Sequence, residues 1–266
     1  MTKIKNAIKK SNKVSLVVYL ILRLLVIFCL IREICYGKFE NAIICIFALI
    51  LFLVPSFLEK TLKISFPTTL EILIFVFIFS AEILGEINNF YGKYELFDDI
   101  LHAINGFACA SIGFSSVYIL NEKTNSLKLS PFFITLVSFC FSMTIGVMWE
   151  FFEYGSDKYL GLDMQKDQYV ENIRTVTLDP EKNNKVIKID NISYSILYDE
   201  AGNEIIKIDN YLDLGLQDTM EDLKVNFIGA FIFSIFGYLY IINSKKYKLA
   251  GRFITTKVNE QQHEFN

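Results

Sequence analysis

Four short stretches of this sequence hold most of the side chains that could do chemistry. Asp98, Asp99, His102 and Asn105 fall close together, with Asp98 and His102 at i, i+4. Glu150, Glu153 and Asp157 follow at i, i+3, i+7, with Trp149 beside them. Asp218, Asp222 and Asn226 recur every four residues, ahead of Gly229. Glu82, Glu86 and Asn89 stand at i, i+4, i+7. Each spacing stacks polar side chains on one face of an α-helix. Carboxylates gathered in a partly dry site raise one another's pKa unless a cation or a shared proton neutralises them. Three readings fit. The first is a divalent cation held by Asp98, His102, Glu150, Glu153, Asp218 and Asp222. Mostly oxygen donors suit Mg, Mn or Ca, while the one His admits Mn, Fe or Zn. The second is acid–base chemistry without metal, for which His102, Glu150 and Glu153 are the candidate catalytic groups. The third is structural: Asp98 or Asp99 and Asp218 or Asp222 as helix N-caps, with solvated charge around them. His102 is either a hydrogen-bonded helix residue or a ligand whose tautomer Asp98 fixes. The other histidine, His263, lies in a polar tail.

The elements that must hold these residues are apolar. Of 266 residues, 53% are hydrophobic and 21% charged, and the net charge is -3. The apolar residues come in blocks of about 20, the length that crosses a bilayer as helix. That pattern excludes a disordered chain, a small disulfide-stapled protein and an ordinary soluble enzyme. The charge excludes a strongly basic nucleic-acid binder. The five Cys follow no C-x-x-C spacing, so no zinc ribbon or disulfide framework is indicated. Six spans are predicted, over residues 14–31, 41–57, 68–91, 101–120, 131–152 and 225–243. Helix is the only open-ended structure that satisfies its backbone in lipid. The first block is too long for a cleaved signal, and no small-residue cleavage site follows it.

Basic residues sort the loops into two sets. Lys3, Lys5, Lys9, Lys10 and Lys13, then Lys60 and Lys63, Lys123 and Lys128, and Lys245, Lys246, Lys248, Arg252 and Lys257 fall on one side. The opposite short loops carry Arg32, Lys38 and Lys93. Both termini are therefore expected in the cytoplasm, and the four polar stretches at the outer interface. The segment 153–223 has 16 Asp and Glu against 7 Lys and Arg, acceptable outside the cell. Ionisable groups inside spans mark functional sites by default. Trp149 reads as an interfacial anchor, Gly229, Ala230 and Gly237 as small faces for helix packing, and Arg23 as a paired or snorkelling residue.

Between spans five and six, residues 168–216 read as a β-rich insert. Residues 192–208 form a hairpin around the turn Asp199–Asn203, with another turn at Leu178-Asp179-Pro180 and Asn183-Asn184. The expected organisation is spans one to five over 1–167, the insert, span six over 217–243, and a cytoplasmic tail over 244–266. The fold class is an all-α polytopic membrane helix bundle of about six spans with a small β-rich extracytoplasmic insert.

FDDILHAINGF (97–107), GVMWEFFEYGSDKYLGLDMQ (146–165) and LQDTMEDLKVNFIGAFIFSIFGY (216–238) resemble the YjdF-like bacterial inner-membrane proteins. More distantly, Asp222, Asn226, Gly229 and Ala230 are similar to the D-x-x-x-N-x-x-G-A run of the VanZ-like family. The resemblance implies a bacterial plasma-membrane protein and points to Asp98, His102, Glu150, Glu153, Asp218 and Asp222. It brings no established activity. The expected function is an outward-facing acidic/His site, metal-dependent, acting on an envelope lipid or glycan precursor. The alternatives are an ion- or proton-coupled transporter and a non-catalytic envelope scaffold or resistance factor. The expected partners are the lipid bilayer and that precursor, with no nucleic acid.

Overall fold

The computed structural model describes residues 2–62, 64–123 and 128–257, with side chains over 13–61, 64–122 and 128–256. His263 and the side chains of Lys3, Lys5, Lys9, Lys10, Lys63, Lys123 and Lys257, used above for orientation, lie outside these. The protein is mostly helical and divides into two units, Met1–Val147 with Asp222–Asn266, and Met148–Glu221. Among the described residues, five helices are long and apolar enough to cross a membrane.

In the first unit, α1 (Thr2–Cys35) ends where Gly37 adopts a left-handed φ of 72°. Lys38 N–H then reaches back to Glu33 O at 2.9 Å, closing the helix end as a glycine stop does. α2 (Phe39–Leu51) returns and, after a one-turn irregularity, continues as α3 (Val54–Leu62). A two-residue strand β1 (Ile64–Ser65) leads to α4 (Thr68–Phe79). Val26, Cys29, Cys45, Ala48, Phe52, Phe75 and Ile78 form the core of α1, α2 and α4. Tyr19, Phe52 and Phe75 meet at its centre, with ring centroids 5.2–6.2 Å apart.

The third expected span departs from prediction. The α-helix stops at Phe79 and a π-helical segment, Ser80–Ile87, carries the chain on. Asn89 then sits at a φ of 54°, and a single turn, α5 (Phe90–Lys93), follows. The widened turn seats Gly85 under the Tyr91 ring, where a Cβ would lie 2.3 Å from Cε2. Asn89 is therefore not on a helix face shared with Glu82 and Glu86. Two other polar groups in the spans have local partners: Arg23 bonds the Tyr19 hydroxyl, and the Ser15 hydroxyl bonds Glu71.

The remaining long helices are α6 (Phe97–Lys123), α7 (Pro131–Leu160) and, after the insert, α8 (Leu216–Ile242). All run past the apolar blocks that announced them; α8 begins nine residues before the expected start at Val225. Pro131 opens α7 behind Ser130, whose hydroxyl accepts Phe133 N–H at 3.2 Å. α6 and α8 run side by side in the same direction. His102 faces Asp222, Gly106 faces Asn226, Phe114 faces Gly237 and Tyr118 faces Tyr240. α7 runs opposite to α6, bonding Ser142 to Gly106 O (2.7 Å) and Ser138 to Ala110 O (2.6 Å). The small face expected on α8 is used: a Cβ on Gly229 would lie 2.0 Å from Ala103 O.

The segment after α8 is not a free tail. A short turn, α9 (Lys248–Gly251), sends it back into the bundle, burying Ala250, Ile254 and Thr255. Ser111 bonds Phe253 O, and Thr255 N–H donates to Ser115 Oγ at 2.8 Å. The chain then pairs with β1 through β8 (Thr256–Lys257).

The second unit carries the expected strands. Here β2 (Gln168–Val170) pairs with β7 (Tyr211–Asp213), β3 (Ile173–Thr175) with β4 (Ile187–Ile189), and β5 (Tyr194–Tyr198) with β6 (Glu204–Asp209), all antiparallel. The expected hairpin turn is closed by Asp199, whose backbone N–H bonds Asn203 O at 2.9 Å, with Gly202 at a φ of 82°. The other turn is built on Asp179, whose carboxylate accepts N–H groups of Glu181, Asn183 and Lys185. Those bonds, that to Lys185 foremost, hold its carboxyl below the ordinary Asp range, against the opposing effect of burial.

Two outcomes follow. Gly229→Ala forces α6 and α8 apart and is expected to cost about 1–3 kcal/mol or more, read as a lower melting temperature in detergent. Gly155→Ala, with nothing within 4 Å of the new Cβ, is the neutral control. Equal melting of both variants would refute the close crossing. For Asp179 the folded pKa is depressed, so its contribution is complete above the ordinary Asp value of about 3.9 and is lost as pH falls below it. Asp179→Asn should therefore raise proteolytic cleavage within 176–186 at neutral pH and remove its increase in acid. A cleavage profile identical to wild type would refute this role.

Candidate functional site

The first unit brings three of the expected residues together. Asp98 sits in the first turn of α6 and is partly exposed. His102 follows one turn later and is 7% exposed; Asp222, in the second turn of α8, is 2% exposed. His102 Nε2 lies 3.5 Å from Asp98 Oδ1 and 3.7 Å from Asp222 Oδ2. One donor atom from each of the three lies within 4.8 Å of the others. Both measured separations exceed the ~2.9 Å of an ordinary N–H···O bond. The imidazole thus stands within ion-pair distance of two carboxylates. The parallel register of α6 and α8 causes this, because it sets the second turn of one helix against that of the other. Both helices begin at this end, so both partial positive N-termini lie on the side of the carboxylates.

The other candidates are placed as follows. Glu150 (4% exposed) and Glu153 (7%) lie one turn apart on one face of α7, in the second unit. Trp149 Nε1 donates to Glu153 Oε1 at 2.7 Å, and its ring packs on Phe152 at 5.3 Å. With 41% of its surface exposed, Trp149 has the dual character of an interfacial anchor. Asp157 caps the loop after α7, accepting Met164 N–H (2.6 Å) and Gln165 N–H (2.8 Å). Asp218 Oδ2 accepts Lys166 N–H at 2.7 Å, tying the same loop to the start of α8. Burial, then its neighbours Asp163, Asp157 and Asp213, push the carboxyl of Asp167 up.

The expected N-caps fall elsewhere. Asp98 and Asp99 are inside the first turn of α6, and Asp218 is inside that of α8. The carboxylate that accepts a first-turn N–H of α8 is Asp213, bonded to Gln217 at 2.8 Å. The earlier start of α8 moved the cap upstream. Asn105 accepts a thiol proton from Cys109 at 3.4 Å. Among the described residues, neither Glu82 nor Glu86 joins a group of three close His, Cys or carboxylate donors.

Sequence reasoning passed over two buried groups. Glu33 (3% exposed) is bonded by Arg32 at 2.6 Å and Asn41 at 2.9 Å, joining α1 to α2. The signal was an adjacent Arg-Glu pair closing an apolar block, which also reads as a loop. The second is the depth of Asn226, which is fully buried between α6, α7 and α8. Its place in the four-residue series with Asp218 and Asp222 was visible, but its burial was not.

The family description "Predicted membrane protein (DUF2238)" matches residues 14–243, which includes all of these positions. No curated protein and no solved structure matches the chain.

Proposed function

Since the chain belongs to the DUF2238 family of predicted membrane proteins, a description of residence and not of chemistry, we propose a function from the site itself. The protein is a multi-pass bacterial plasma-membrane protein with both termini in the cytoplasm. It binds a divalent cation between Asp98, His102 and Asp222 at the outer membrane interface. There it acts on an envelope lipid or glycan precursor, by metal-assisted hydrolysis or transfer. His102 would be the nitrogen ligand, and a bound cation would supply Lewis-acid polarisation of a substrate oxygen. Glu150 and Glu153 stand as acid–base candidates and Asp218 as a ligand candidate in the other unit, each to be judged by its own variant. The motif likeness to YjdF-like proteins falls within the matched residues. The likeness to VanZ-like proteins rests on the order of an Asp–His span, a Glu-rich region and the run Asp222, Asn226, Gly229 and Ala230.

The observation that carries this reading is the spacing of the donors. Two ligands about 2.1 Å from an ion and about 110° apart lie about 3.4 Å from each other. A larger ion at about 2.4 Å with ligands at right angles gives the same figure. An octahedral ion at about 2.1 Å would need about 3.0 Å. The 3.5 and 3.7 Å separations are of the size that ligands of one small divalent ion span. Two carboxylates also match the charge of one divalent ion, which removes the cost of ionised groups beneath a membrane surface.

Elemental analysis and calorimetric titration with Zn, Ca, Mn and Mg test the proposal. The wild-type chain should bind about one equivalent. His102→Ala and Asp222→Asn should each weaken binding at least about 10-fold while retaining helical circular dichroism. A wild-type chain that binds none of the four ions overturns the proposal, as do variants that bind as tightly as wild type. Ion or proton flux in liposomes, abolished by the same variants, would replace it with the transporter reading.

A further inference from the structure

Asn226 is fully buried, in a helix that crosses the apolar interior. Its Nδ2 meets only the weak acceptor Met143 Sδ, at 3.5 Å. Its Oδ1 has no hydrogen-bond partner among the described residues. Buried oxygens of this kind are rare, and an unseen ion or water is one of the few reasons for them. Lipid offers nothing in place of a partner.

The fold makes room for this side chain on two sides. A Cβ on Gly146 of α7 would lie 2.6 Å from Asn226 Nδ2. A Cβ on Gly106 of α6 would lie 2.2 Å from Asn226 O. Leucine has nearly the shape of asparagine and would fill the same space with no orphaned atom. Packing therefore explains the two glycines but not the carboxamide.

Helical geometry relates the carboxamide to the donors already described. Asn226 follows Asp222 by four residues, on the same face of α8, just as Gly106 follows His102 on α6. Helical side chains lean toward the N-terminus of their own helix, here toward the turn that carries Asp222. The nitrogen has Met143 Sδ as its partner, which leaves the oxygen as the carboxamide atom without one among the described residues.

We infer that Asn226 Oδ1 is a fourth donor to the Asp98–His102–Asp222 site, bound to the cation directly or through one water. The inference rests on the cation reading above. Its chemistry is that of hard-ion sites, where neutral amide oxygens share the ion with carboxylates. It also fits the charge balance. A carboxamide adds an oxygen and no charge.

The full chain in detergent, titrated with zinc and with calcium, tests this through two substitutions. Asn226→Leu should bind at least about 10-fold more weakly, while its metal-free melting temperature stays level or rises because the orphaned oxygen is gone. Asn226→Asp should make binding proton-linked, tightening as pH rises, with a lower metal-free melting temperature that the ion restores. If Asn226→Leu binds as wild type, Asn226 is a packing residue and the inference fails while the cation reading stands. If Asn226→Leu does not fold, Asn226→Asp decides: wild-type affinity and pH dependence in that variant overturn the inference. If wild type binds neither ion, the cation reading itself falls, and the inference with it.

Discussion

The contact on which the first unit depends is the backbone approach of α6 to α8. Gly106 and Gly229 remove the two side chains that would hold these helices apart, so each backbone lies against a carbonyl of the other. Lipid-embedded helices gain little from the hydrophobic effect between them, because acyl chains are as apolar as leucine. Close packing and interhelical polar bonds must do the work instead. That close contact fixes the register, and the register puts His102 opposite Asp222. A shift of one residue in either helix would turn these side chains by about 100° and dissolve the cluster. The site is a consequence of two glycines that do no chemistry.

The same constraint explains the polar residues around it. Ser111, Ser115, Ser138 and Ser142 are all buried, and each hydroxyl donates to a backbone carbonyl. Ser138 and Ser142 do so across helices and stitch α7 to α6. Small hydroxyl side chains let helices approach while leaving no donor unpaired. Against that background a polar group aimed at no protein partner carries information. Most polar groups in these spans bind the fold together, so they are poor evidence of function. The cluster at the start of α6 and α8 differs in composition, bringing one His and two carboxylates within 4.8 Å of one another.

The helices, the insert and the Asp98–His102 pairing were legible because each rests on short-range regularity. Long apolar blocks give spans, alternation with a Gly202 turn gives a hairpin, and i, i+4 spacing gives a shared face. What was hidden depends on contacts distant in sequence or on local departures from α-geometry. The π-helical segment at Ser80–Ile87 leaves no mark in hydropathy. Helix ends were read from apolar residues, so α8 was started at Val225 although its first two turns, carrying Asp218 and Asp222, are polar. That late start put the expected cap at Asp218 or Asp222, whereas Asp213 is the residue that accepts Gln217 N–H. The return of Lys248–Thr256 into the bundle was hidden by its lysines and arginine, which read as a solvated tail although Ala250, Ile254 and Thr255 are buried. Charge bias can sort loops across a bilayer, but it cannot show which charged segment still hides an apolar side.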